Sequence, residues 1–228
     1  MNANNFDPSV LNTCLIFTIL WKAFIIENKS QRELNIMTRF CPKMLKEEPT
    51  PDHLINCQEC GLYKQGIRMV WGEGNSEARI IIILDNPGAR ENREGESFVC
   101  GTRQTLQEVA NEAGLNINDL YVTFILKRKP VRAYDKELVR QICMGHLEQQ
   151  LKEKQPKLIL CLGNVAVQSF FQNPEAEVKS LRGSWHNVRG FETTVAYHPL
   201  AIRRRSNLRA LFLEDLTLVA ERFHSLNL

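Results

Sequence analysis

Two kinds of apolar pattern alternate along the chain from Arg79 onward. Arg79-Ile80-Ile81-Ile82-Ile83-Leu84 and Lys157-Leu158-Ile159-Leu160-Cys161-Leu162 are short and continuous, with no polar position in every second place. That predicts strands buried on both faces, the habit of a parallel sheet. Leu120 to Leu126, rich in Tyr, Val, Thr, Phe and Ile, predicts a further strand, and Thr193 to Tyr197 a fourth. Between them the spacing changes to a helical one. Gly101 to Ala113 predicts a helix closed by Gly114. Lys136 to Lys154 predicts a long amphipathic helix, with Leu138, Ile142, Leu147 and Leu151 near one face and Pro156 as its breaker. A short helix follows Gly163-Asn164, and Leu208 to Phe223 predicts a closing helix. The Pro-containing stretch Lys43 to Pro51 reads as a linker.

Strands that alternate with helices imply a three-layer α/β/α fold around a central four-stranded, mainly parallel sheet. In such sheets ligands bind beyond the carboxyl ends of the strands. The segments at those ends are Asp85-Asn86-Pro87-Gly88, Lys127-Arg128-Lys129-Pro130, Gly163-Asn164 and His198-Pro199. All four carry the polar or turn residues that a site needs.

Composition narrows this only slightly. Of 228 residues, 43% are hydrophobic and 24% charged, so the chain is long and apolar enough for one α/β domain plus an extra segment. A net charge of +3 does not by itself point to a polyanion, so the placement of the basic residues matters more. Seven cysteines, an odd number with no secretory signal, argue for reduced thiols in a cytoplasmic protein, some of them metal ligands. Residues 1–45 are expected to be an N-terminal extension and residues 46–228 the α/β/α domain. Leu11 to Ile26 is apolar-rich but interrupted by Asn12, Thr13 and Lys22. It falls short of the roughly 20 apolar residues of a membrane span. Two readings stay open: a short helix docked on the domain, or a poorly ordered leader upstream of a start at Met37.

Six segments in order carry a resemblance. They are Cys57-Gln58-Glu59-Cys60-Gly61-Leu62, Trp71-Gly72-Glu73-Gly74, Leu84-Asp85-Asn86-Pro87-Gly88, Gly95-Glu96-Ser97-Phe98-Val99-Cys100, Pro156-Lys157-Leu158-Ile159 leading to Leu162-Gly163-Asn164-Val165-Ala166, and Leu181-Arg182-Gly183 ahead of Tyr197-His198-Pro199. Each is weak alone. Together, from about Asn56 to Val219, they resemble the iron–sulfur (type 4/5) uracil-DNA glycosylases.

The resemblance implies a hydrolase that removes uracil or another deaminated base from DNA in base excision repair. It implies Asp85 and Asn86 as catalytic groups and His198 as donor to the oxyanion of the leaving base. It implies Phe98 and Thr123 at the base. A flipped base stacked on Phe98 gains roughly 1–3 kcal/mol, against a plain core phenylalanine as the alternative. Arg203, Arg204 and Arg205, with Arg209 close by, read as a phosphate clamp, the alternative being a solvated face. Lys127, with Arg128, Lys129 and Arg132, reads as a second DNA-binding cluster. The resemblance also implies a 4Fe-4S cluster, with Cys57, Cys60 and Cys143 matching three of its four cysteines.

Two departures change the picture. Phe124 replaces the family's base-reading Asn, which opens the substrate to other deaminated bases. Arg128 stands where the family has a ligand cysteine, so Cys100 enters as a possible substitute, and zinc or no metal as alternatives to the cluster. Three function classes follow: a monomeric glycosylase, a non-catalytic DNA-binding relative, and an unrelated enzyme whose Pro-Gly loop holds a small-molecule phosphate.

Overall fold

The computed structural model describes residues 40–65, 68–88 and 100–226. Residues 1–39, which hold most of the expected extension, and the loop with Phe98 lie outside them. From Pro42 to Leu228 the chain forms one compact unit.

Seven strands make one sheet: β1 (Glu47–Glu48), β2 (Gly72–Gly74), β3 (Ile80–Leu84), β4 (Leu120–Phe124), β5 (Leu158–Leu162), β6 (His186–Val188) and β7 (Phe191–Ala196), in the order β1-β2-β4-β3-β5-β7-β6. The expected four-stranded sheet is thereby corrected to seven. The four expected strands are its contiguous parallel centre, β4-β3-β5-β7. Antiparallel β1, β2 and β6 extend its two edges. They are two or three residues long, too short to show a period of two.

β1 also corrects the linker expected over Lys43 to Pro51. Glu47 and Glu48 pair with Glu73 and Gly72. The Lys43 backbone is held at both ends by the buried amide of Gln107, at 2.8 and 2.7 Å.

Six α-helices lie among the described residues: α1 (Gly101–Glu112), α2 (Lys136–Lys154), α3 (Asn164–Phe171), α4 (Val178–Leu181), α5 (Pro199–Arg204) and α6 (Arg209–Leu226). Alternate residues of β3 sort them into layers. Ile80, Ile82 and Leu84 meet Leu106, Val109 and Ala110 of α1 and Phe212, Leu216 and Val219 of α6. Ile81 and Ile83 face the other way, onto Val139, Leu147 and Leu151 of α2 and Ala166, Val167 and Phe170 of α3. Full burial of each such side chain contributes about 1.5–3 kcal/mol, which explains why both faces of these strands read as apolar.

Helix α2 has the expected bounds but not quite the expected face. Leu138 is 50% exposed, whereas Val139, Cys143, His146, Leu147, Gln150 and Leu151 are buried. The buried face includes polar residues, so an apolar count alone rotates it. None of the described helices is long and apolar enough to cross a membrane.

Candidate active site

The topology fixes where a site belongs. From β3 the chain passes to β4 on one side, and β5 then lies on the other side of β3. The crevice at the carboxyl ends of these strands is the topological switch point. A cavity of about 400 Å³ opens there, lined among others by Asp85, Asn86, Gly88, Thr102, Arg103, Gly163, Asn164 and His198. Of the residues expected to be catalytic, Asp85, Asn86 and His198 are brought together in its wall.

Three helix amino ends converge on it. Thr102 and Arg103 open α1, Asn164 and Val165 open α3, and His198 caps α5. Among the described residues, neither N-cap residue, Cys100 of α1 or Gly163 of α3, makes a side-chain cap hydrogen bond. The positive helix ends favour negative charge in the cavity.

Asp85 leaves the end of β3. Its Oδ1 is buried and has no hydrogen-bond partner among the described residues. Burial raises its pKa above the ordinary carboxylate value, and the positive charges of Arg140 and Lys136 oppose that shift. A carboxylate with spare acceptor capacity in a cavity wall suits the work of holding and deprotonating water. Asn86 is turned into its own loop, with Nδ2 donating to the Pro87 carbonyl at 2.8 Å.

His198 is held in one tautomer. Its Nδ1 accepts from the Leu200 N–H at 3.0 Å, so the neutral ring carries its proton on Nε2. Burial, and next the charge of Arg103, push its pKa down to about 4. A neutral imidazole with a fixed Nε2–H is thus present throughout the physiological range. Gly163 permits this placement: at φ +88°, a Cβ there would stand 2.9 Å from the His198 Cβ. Arg103 is itself buried, paired with Glu73, and its guanidinium lies 5.5 Å from the centre of the Phe124 ring.

A depressed histidine pKa has a consequence for stability. Between about pH 6.5 and 4 the unfolded chain binds a proton at His198 that the folded chain does not, so stability falls as pH falls through that window. Asn also caps helices well, so His198→Asn keeps the cap and removes the titration. Urea unfolding should show the wild type losing on the order of 1–3 kcal/mol more than His198→Asn between pH 7 and 4. Parallel losses in the two proteins would contradict the assignment.

Two expected contacts are corrected. Lys127 is fully buried: its Nζ donates to Thr123 Oγ1 and Gln150 Oε1, both at 2.7 Å, and lies over the Trp71 ring at 4.7 Å. It therefore does not reach a DNA phosphate. Thr123 is equally buried, bonded to Trp71 O and Gln150 Oε1 at 3.0 and 2.6 Å, under the sheet rather than at the cavity. Arg128 is buried as well, which leaves Lys129 and Arg132 as the more accessible members of that cluster.

Arg203, Arg204 and Arg205 are exposed at the end of α5, and Arg203 reaches the Gly101 carbonyl at 3.3 Å, beside the cavity-lining start of α1. Arg209 is instead engaged with Glu112. Thr102, Arg103 and Asn164 were not anticipated individually. Gly163-Asn164 is expected at the site only as a strand-end segment, with no role for Asn164 itself, and nothing in the sequence distinguishes Arg103 from a surface helix arginine.

The cysteines fall in two places. Cys143 is hydrogen-bonded to Cys60, which pulls the Cys60 thiol down to about 6 and pushes Cys143 up. Cys57 Sγ lies 3.5 Å from His146 Nε2, and Cys57, Glu59 and His146 form a group that can hold a metal ion. Cys100 starts α1, whose core residues face the opposite side of the sheet from Cys143, and its thiol contacts Thr102 Oγ1 at 3.1 Å. It is not brought to the other cysteines. Among the described residues, Cys57, Cys60 and Cys143 are the cysteines that match the family's ligands, and the buried Arg128 lies near Cys60. His146 is the neighbour that the sequence reading passed over, although Cys143 and His146 are three apart on one helix face.

Comparison with known proteins agrees with this geometry. The Uracil DNA glycosylase superfamily profile matches residues 71–217. A protein of Archaeoglobus fulgidus named type-4 uracil-DNA glycosylase is 31% identical over 177 residues, covering 74% of this chain and 88% of its own. Proteins of the same name from Saccharolobus solfataricus and Thermotoga maritima are 31% and 29% identical, covering 76% and 74% of this chain and 85% and 90% of their own. With a profile match spanning β2 to α6 and relatives aligned over most of their length, the chain belongs to the uracil DNA glycosylase superfamily.

Proposed function

We propose that this chain is a monofunctional, monomeric DNA glycosylase that hydrolyses the N-glycosidic bond of uracil or another deaminated base and leaves an abasic site for base excision repair. The observation that carries the reading is the shared cavity of Asp85, whose Oδ1 has no hydrogen-bond partner among the described residues, and His198, with its fixed Nε2–H. The names of the aligned relatives support the same reaction.

The nucleotide must leave the stack, at a cost of a few kcal/mol, for its base to enter the cavity. The bond from C1′ to the base nitrogen then breaks, and its electron pair goes to the base. The sugar becomes oxocarbenium-like. Asp85 stabilises that positive charge, orients water toward C1′ and takes its proton. Negative charge spreads onto the base carbonyl oxygen, where His198 Nε2–H donates a hydrogen bond and the helix ends add their field. The base finally takes up a proton as it leaves. Phe98 remains the proposed stacking surface. Where the family's amide would read the base, Phe124 is fully buried beneath Arg103, so the proposed substrate range includes deaminated purines. Cys41, Cys57, Cys60, Cys143 and Cys161 are in no disulfide, in keeping with a proposed cytoplasmic setting.

The decisive experiment offers single- and double-stranded oligonucleotides carrying uracil, hypoxanthine or xanthine and scores alkali-labile breaks. Breaks at one or more of these bases are expected. Retention of DNA without breaks would replace this reading with the non-catalytic one. A second expectation concerns the exposed arginines. Replacing Arg203, Arg204 and Arg205 together with Ala should weaken binding to all sequences alike. It should flatten the slope of log K against log salt by up to about 0.9 per lost phosphate contact on duplex DNA. A slope unchanged by the triple substitution would remove these residues from the DNA contact.

A further inference from the structure

Among the described residues that line the cavity, Arg103 is the one permanent cation. It stands in the first turn of α1, is 5% exposed, and shares the cavity wall with Asp85 and His198. We propose that the Arg103 guanidinium is a catalytic group of this cavity, which stabilises the negative charge that develops on the leaving base alongside the His198 Nε2–H. This role rests on the glycosylase reading.

The guanidinium is held from two sides. Its Nε pairs with Glu73, and Glu73 is fixed in turn by the pairing of β2 with β1 and β4. The head lies over the ring of Phe124, the last residue of β4, at 5.5 Å from the ring centre. A donor clamped in this way needs no reorganisation at the moment of reaction, the condition under which it lowers a barrier most. Fold stability alone does not account for the arrangement. A buried ion pair seldom stabilises a protein better than apolar side chains of the same size. An arginine with no task beyond solvation stays in water, as Arg203, Arg204 and Arg205 do.

Charge divides the cavity into two poles. Arg103 is the charge that acts on His198, where it adds to burial in keeping the imidazole neutral. The charges that act on Asp85 are those of Arg140 and Lys136. The N-glycosidic bond breaks into a cationic sugar and an anionic base. Asp85 is matched to the sugar, and Arg103 with His198 to the base. A guanidinium does not give up its proton, so it can stabilise the base anion without protonating it early. The attraction grows as the bond breaks, and the water-poor wall strengthens it, so it favours the transition state over bound substrate.

The test measures single-turnover base release by wild type, Arg103→Met and Arg103→Lys. The substrates are oligonucleotides carrying uracil against 5-fluorouracil, and hypoxanthine against 2-fluorohypoxanthine. Fluorine withdraws electrons and stabilises the leaving anion, so less is asked of the protein. Arg103→Met should lose about 10²–10³ on the parent base, as for one oxyanion donor, and clearly less on its fluorinated counterpart. Arg103→Lys keeps the charge without the fork and should fall between. Arg103→Met leaves the buried Glu73 carboxylate without its ion pair, so Arg103→Met/Glu73→Gln is measured as well and should show the same uneven loss. A second readout needs no turnover. Followed by NMR, the His198 ring should titrate at a higher pH in Arg103→Met/Glu73→Gln, because the repelling charge is gone. Equal losses on parent and fluorinated bases, the mark of a displaced loop or a weakened fold, would overturn the proposal and leave the glycosylase reading standing. An unmoved His198 titration would overturn it too, since the charge would then be directed elsewhere. A wild type that releases none of these bases would end the glycosylase reading, and this role with it.

Discussion

Asp85→Ala should lower the single-turnover rate of base release by at least about 100-fold, in line with the 10²–10⁴ lost with a general base. Two features of Asp85 lead to this. It leaves β3 at the switch point, where the sheet order directs a ligand, and its Oδ1 is buried with no partner among the described residues. A carboxylate can both take a proton from water and stabilise a cationic sugar, whereas the adjacent amide can only position water. Asn86 is also already bonded to the Pro87 carbonyl. Asn86→Ala should therefore cost less than Asp85→Ala. Both variants should still bind DNA, because the exposed arginines of α5 are untouched. Burial raises the Asp85 pKa, and the base must be ionised to act, so the rate should already decline on the acid side at a pH above the ordinary Asp value. Asp85→Ala should abolish that limb along with the rate. Should Asn86→Ala be dead while Asp85→Ala keeps near-full rate, the roles of the two residues are reversed. Should neither matter, the cavity is not where the bond breaks.

The parallel centre of the sheet was readable because doubly buried strands write themselves as unbroken apolar runs: Ile80 to Leu84 and Leu158 to Leu162 needed no context. The edge strands were not readable, since Glu47–Glu48 and Gly72–Gly74 owe their conformation to pairing with a neighbour rather than to their own pattern. The site was half readable for a related reason. Position at a strand end marked Asp85, Asn86 and His198, because backbone topology alone takes those places to the cavity. Lys127 stands at a strand end too, yet its side chain turns inward to Thr123, Gln150 and Trp71. Charge in a sequence suggests solvent, and only the tertiary partners that satisfy a buried ammonium reveal otherwise. The same partners explain Gln150 on the buried face of α2, which a count of apolar residues alone passes over.

His198→Ala should cost about 10²–10³ in the chemical step with little change in DNA affinity, the loss expected when one oxyanion donor is removed. The residue acts through a proton at a known atom. Leu200 N–H occupies Nδ1, so Nε2–H is left to face the charge that develops on the base, and with a pKa near 4 the ring is neutral when it does so. A neutral donor suits a leaving anion whose proton should not be supplied before the bond has broken. His198→Asn keeps the helix cap but offers its amide from a shorter side chain, so it should recover stability without recovering the full rate. Gly163→Ala probes the same donor without touching it. The added methyl would meet the His198 Cβ at 2.9 Å, at a backbone φ of +88° that favours glycine. The ring must then shift. A positioning error near 1 Å can cost on the order of 100-fold. Gly163→Ala should thus approach the rate defect of His198→Ala, and the double variant should be scarcely slower than His198→Ala alone. Independent, multiplying defects would show that Gly163 serves the cavity by some route other than seating His198.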